Sequence, residues 1–136
     1  MSKLQATTTN RVTMGKDHII RSVFRGDQTP QTLQTSIEQA VILSAPLIAA
    51  DKPVLFLADI RHIGNHTAAS RLTGLRARAQ LPFWRIAIIA KPDENKDILV
   101  ISKKLTAMSG RKKEIHYFAT VPPALRWLHQ HAISRF

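Results

Sequence analysis

Marking the polar positions divides the chain into short apolar runs and longer amphipathic stretches. Residues 1 to 9 are polar and Thr-rich, without periodicity, and are expected to fray. RVTMGKDHIIRSVFRG then reads as two short strands, with Val12 and Met14 before a Gly15-Lys16-Asp17 turn and Ile20, Val23 and Phe24 after it. Thr29 before Pro30 is an N-cap with a first-turn proline, and Leu33, Ile37, Ala40, Val41 and Ser44 recur at helical spacing. Pro46 lacks an amide proton and clashes with the preceding turn. It is expected to end or kink that helix, leaving Leu47 to Lys52 as a short continuation or loop.

Val54–Ile60 is nearly all apolar, the pattern of a strand buried on both faces of a parallel sheet. Ala68, Leu72, Leu75 and Ala79 then form one stripe of a helix, flanked by Arg71 and Arg78 on one side and Arg76 on the other, with Gly74 weakening it. Trp84 to Ala90 predicts a second buried strand, KPDENKD its turn, and Ile98, Ile101, Leu105 and Met108 a helix that SGRKK ends. Ile115, Tyr117 and Phe118 mark a further strand. Val121-Pro122-Pro123 opens the last helix, where Leu125 and Leu128 face inward and Trp127 reads as core rather than as an anchor. The order β-β-α-β-α-β-α-β-α predicts an α/β fold: a mainly parallel sheet with an N-terminal β-hairpin at or near an edge and about four helices. No repeat, low-complexity tract or linker divides residues 1–136, which read as a single domain.

Composition narrows the function. The chain has 44% hydrophobic residues, and its longest apolar runs stay short of the roughly 18 residues needed to span a bilayer. The N-terminal residues hold no apolar signal core, so a cytoplasmic location is expected. The absence of cysteine excludes disulfides, thiolate catalysis and cysteine-based metal sites. Charge is the unusual feature, with 20 Lys and Arg against 9 Asp and Glu giving a net +11. Eleven basic residues and three acids between Arg71 and Lys113 place +8 of it in one segment. Such a surface attracts nucleic acid, anionic lipid or an acidic protein, or simply keeps the chain soluble.

The stretch ADIRHIGNHTAASR carries the candidate chemistry, because ligands of open α/β sheets bind beyond the carboxyl ends of strands. Asp59 offers a base or cation ligand, His62 a proton shuttle, and the amides at the Thr67 helix start an anion site. Each also has a plain structural use: Asp59 paired with a nearby arginine or capping a loop amide, Thr67 as an N-cap with Ser70 three residues later. No second acid or activated nucleophile joins them, which argues against catalysis. His62 and His66 span an expected loop containing Gly64, and His129 and His131 point to different sides of a helix, so neither pair suits a metal. GNHTAAS lacks the spacing and the lysine of a phosphate loop. Only 6% of residues are aromatic, and Phe83 and Trp84 beside Arg85 suit the start of a core strand better than a stacking platform for nucleic acid.

The strand ending in ADIRHI, the helix start with Thr67, Ala69 and Arg71, the WRIAIIA strand, the helix around Ile101 and Leu105, and above all EIHYF followed by ALRWL resemble STAS-like proteins. These are small bacterial domains similar to anti-sigma-factor antagonists and, more distantly, to CRAL-TRIO lipid-binding domains. The likeness is a pattern of apolar positions spanning most of residues 11 to 130. It implies a non-enzymatic regulatory or ligand-binding role without a cofactor. Anti-sigma-factor antagonists carry an Asp-Ser-Ser-Gly-like sequence after the equivalent strand, and a serine there is phosphorylated to switch partner binding. Here the matching positions are Asp59 to Gly64 and Thr67 to Ser70; the Ser-Gly element is absent, which leaves Thr67 and Ser70 as the hydroxyls to test. The expected interaction surface is therefore Asp59, Arg61, His62, Thr67, Ser70 and Arg71, with a protein partner. Anionic lipid or a small amphipathic ligand is the alternative, and nonspecific nucleic-acid binding the third. A homodimer through an exposed edge or helix face is compatible with the pattern, though no residue specifies it.

Overall fold

The computed structural model describes residues 10–66, 69, 73, 85–91 and 114–134. In chain order the elements are β1 (Arg11–Met14), β2 (Ile19–Gln28), α1 (Pro30–Ala49), β3 (Leu55–His66), β4 (Arg85–Ile89), β5 (Glu114–Phe118) and α2 (Val121–Ser134). They form one five-stranded sheet of order β1-β2-β3-β4-β5. The β1–β2 pairing is antiparallel, and β2–β3, β3–β4 and β4–β5 are parallel. The predicted hairpin thus lies at the sheet edge. The helices expected over 68–79 and 98–108 fall outside the described residues, apart from Ala69 and Thr73, which are helical and joined by the Thr73 hydroxyl donating to the Ala69 carbonyl.

Strand alternation builds two cores, because successive side chains leave a strand on opposite faces. Phe56, Ala58 and Ile60 of β3 join Ile86, Ile88 and Ala90 and meet Ala40 and Leu47 of α1. Leu55 and Leu57 join Ala87 and Ile89 and meet Ala124 and Leu128 of α2. The β3 segment from Leu55 to Ile60 is buried throughout, as a run apolar on both faces requires. Trp127 packs in the second core, its ring stacked 4.3 Å from His116, tilted against Phe118, and 5.6 Å from the Arg85 guanidinium.

Local chemistry sets the junctions. The Thr29 hydroxyl accepts from the Thr32 amide and the Thr32 hydroxyl accepts from the Thr29 amide, a reciprocal cap in which threonine takes the place usual for glutamate. Buried Gln28 exchanges two hydrogen bonds with Asn10, at 2.9 and 3.0 Å, and the Asn10 amide also donates to Ser36, fastening the hairpin to α1. Pro46 does not end α1, which continues to Ala49. It lies one turn from the helix terminus on an exposed side, so the one intrahelical bond it removes, to the Ile42 carbonyl, falls where water can replace it. Asp51 then closes the helix in the left-handed region, φ 55°, with its amide donating to the Ile48 carbonyl and that of Lys52 to the Leu47 carbonyl.

Candidate functional site

The carboxyl end of β3 departs most from expectation. The loop expected after Ile60 is strand as far as His66, paired with β2. The extension is irregular: Val23 faces Asp59 but Arg25 faces His62, and Gly26 faces Ile63 but Gln28 faces His66. At each step β3 holds one residue more than β2, so it bulges twice. A bulge leaves a backbone amide outside the ladder, and that amide needs an acceptor.

Two aspartates supply the acceptors. At the first bulge the Arg61 amide donates to Asp59 Oδ1 at 3.1 Å, while Arg61 Nε reaches the same oxygen at 3.0 Å and Nη2 reaches Oδ2 at 2.8 Å. At the second, the Asn65 amide donates to Asp27 Oδ1 at 2.8 Å. The close approach of Asp27 depends on Gly64, where a Cβ would stand 2.5 Å from Asp27 Oδ1 and 3.0 Å from the Gly26 carbonyl carbon. Gly26 itself takes φ 81°, a conformation that disfavours any side chain.

Asp59 is therefore a clasped carboxylate. Its side chain is 8% exposed and that of Arg61 26%. Burial pushes the Asp59 carboxyl upward, but the hydrogen bonds from the Arg61 guanidinium and amide, with the charges of Arg61 and His62, outweigh it and hold the group below its ordinary value. The same bonds raise the Arg61 guanidinium. A carboxylate held ionised by three donors from one residue is a weak proton acceptor at neutral pH.

His62 is exposed beside this clasp. His62 and His66 sit on a strand rather than in a loop. Among the described residues no three His, Asp or Glu side chains come together as a metal cluster. Thr67, Ser70 and Arg71 lie outside the described residues, as does most of the basic segment from Arg71 to Lys113. Asp27 belongs to the local geometry although nothing in the strand-end pattern pointed to it, and Gly64 belongs to it as a close-approach position rather than as part of a loop. Their signal was present in Gly26-Asp27 and Gly64-Asn65, isolated glycines beside turn-forming residues within otherwise strand-like sequence.

The opposite end of the sheet carries a related cluster. Asp17 Oδ1 accepts from the Ile19 amide at 3.1 Å, Oδ2 accepts from Arg21 Nη2 at 2.7 Å, and His129 Nε2 stands 3.6 Å from that oxygen. These groups are more exposed, at 21% for Asp17 and 37% for Arg21.

No protein-family model and no curated protein matches the sequence. Among solved structures the chain is similar to an uncharacterized protein of the DUF3478 family with a SpoIIAA-like fold, from Shewanella loihica PV-4. The TM-score is 0.56 and the identity 20%, over 89% of this chain and 93% of that one. No helix among the described residues is long and apolar enough to cross a membrane. The fold is SpoIIAA-like, the STAS type that ADIRHI and EIHYF resemble.

Proposed function

We propose that the chain is a non-catalytic STAS-like regulatory domain that recognises a protein partner through the strand-end surface of residues 59–71. The observation that carries this reading is the Asp59–Arg61 clasp. It spends the acid of the region on one guanidinium and one amide, and in doing so fixes the β3 extension on which His62 is exposed. A rigid, irregular strand end offers an interaction surface with little ordering cost on binding. Thr67 and Ser70 are the hydroxyls at which added phosphate would change that surface, and Arg71 supplies a cation for an acidic partner. The SpoIIAA-like fold supports the regulatory class without naming a partner.

Photo-crosslinking amino acids placed at His62 and Ser70, with Thr13 on the edge strand as control, test this in cells. The expected result is one shared protein adduct at positions 62 and 70 that is absent at 13 and lost on Arg71→Glu. Adducts equally strong at 13, or indifferent to Arg71→Glu, contradict the assignment. Sedimentation with anionic vesicles in place of a protein adduct would replace the partner class with lipid.

A further inference from the structure

Among the described residues the large apolar side chains left exposed are Val41, Ile42 and Ile48, at 43%, 70% and 50%, and all three lie on α1. Ala45, Pro46 and Ala49 beside them are also exposed. The opposite face, Leu33, Ser36, Ala40, Ser44 and Leu47, is buried against the sheet. Of the 20 residues of α1 only Glu38 is ionisable, in a chain whose net charge is +11. A solvated helix normally sets charged side chains opposite its buried stripe, and this one instead presents a neutral, apolar second face.

We propose that this face pairs with the same face of a second copy, the two α1 helices running antiparallel about a two-fold axis at Ala45. A two-fold interface must be self-complementary, since each residue meets its counterpart across the axis. At 100° per residue Val41, Ile42, Ala45, Ile48 and Ala49 fall on one side, with Ala45 at the centre. Antiparallel pairing about Ala45 sets Val41 against Ala49 and Ile42 against Ile48, with Ala45 where the helices come closest. It also sets Glu38, seven residues before the centre, toward Lys52, seven after it. Lys52 is exposed just beyond the helix end and tied to it by a hydrogen bond that its backbone amide donates to the Leu47 carbonyl. The one acid of the helix thus meets the first base after it. Elsewhere two chains of +11 repel, so a nearly charge-free face is where a second copy can approach at least electrostatic cost.

The face also suits a weak dimer. A 20-residue helix is about 30 Å long and about 10 Å wide, so pairing through α1 alone falls short of the roughly 800 Å² per partner of a tight complex. Association is therefore expected to be weak, of the transient class. Because α1 runs back from the carboxyl end of β2 to the start of β3, its apolar half lies at the far end of the sheet from Asp59 and His62. Dimerisation and strand-end recognition are independent.

Sedimentation equilibrium from about 1 to 500 µM, with circular dichroism to confirm folding, tests the proposal. The wild-type chain is expected to pass from monomer to dimer within that range. Ala45→Glu, an exposed substitution that places two carboxylates together at the axis, is expected to weaken the dimer at least about 10-fold with unchanged helicity. Glu38→Lys and Lys52→Glu are each expected to weaken it about 3-fold, and the two together to restore it. A wild-type chain that stays monomeric throughout, or an Ala45→Glu variant that dimerises like wild type, overturns the interface. A double charge swap no better than either single change overturns the antiparallel register.

Discussion

Asp17 and Asp59 make nearly the same bonds at opposite ends of the sheet. In each, Oδ1 accepts the backbone amide two residues on and Oδ2 accepts an arginine Nη2, at 2.7 Å for Arg21 and 2.8 Å for Arg61. In both, burial pushes the carboxyl up and hydrogen bonds with the neighbouring charges bring it down below its ordinary value. Exposure separates them, with Arg21 at 37% and Arg61 at 26%, and Asp17 at 21% against 8% for Asp59. Arg61 adds a second bond, from Nε to Asp59 Oδ1, that Arg21 does not make to Asp17, and an ion pair is worth less where water competes for both partners than where it is sheltered. The hairpin pair trims a turn, while the strand-end pair holds a bulge inside the sheet.

The contrast is broken most severely at Asp59. Asp59→Ala leaves the Arg61 amide without its acceptor and the guanidinium half-buried, and should cost about 3 kcal/mol in urea denaturation. Gly64→Ala drives a methyl group into Asp27 and the Gly26 backbone and should cost about 2 kcal/mol, with part recovered in the Asp27→Ala, Gly64→Ala double variant. Asp17→Ala loses the same kinds of bond as Asp59→Ala but should cost only about 1 kcal/mol, because water takes over at the turn. The smallest effect sharpens the comparison further. Arg21→Lys should stay within about 0.5 kcal/mol of wild type, whereas Arg61→Lys, which sacrifices a two-point contact in a sheltered place, should exceed it in the same denaturation series. Equal costs for the two members of either pair of variants would remove the distinction between the two ends.

Most of the fold could be read from side-chain pattern. The hairpin, the Thr29 cap, the buried run from Val54 and the inward placement of Leu128 follow from periodicity and capping chemistry, and all four appear. Proline and glycine mark where the pattern was least decisive. Of the two outcomes open at Pro46 the short continuation is the one that forms, because a proline near a helix end loses only a replaceable bond, while the loop expected around Gly64 is strand, because a glycine can sit inside a ladder where its own strand bulges. The pairing of β2 with β3 could not be seen locally, since the residues that fix it are separated by all of α1. Asp59 was legible as a strand-end acid with two readings, a chemical group or an arginine-paired cap. The bond from Arg61, two residues away, shows the cap to be present.

The central claim is that Asp59 is a committed, ionised clasp. A group whose carboxyl is lowered on folding adds stability above its unfolded value, about 3.9, and loses it as pH falls through the lower folded value. Asp59 should therefore contribute to an acid limb below about pH 4 and nothing to the pH dependence near neutrality. Carbon-detected NMR titration of the Asp59 carboxyl tests this directly, in wild type and in Arg61→Ala. The predicted result is a wild-type midpoint below about 3.9 that moves up when Arg61 is removed. A wild-type midpoint at or above that value, or one indifferent to Arg61→Ala, would contradict the clasp and return Asp59 to the candidates for proton transfer.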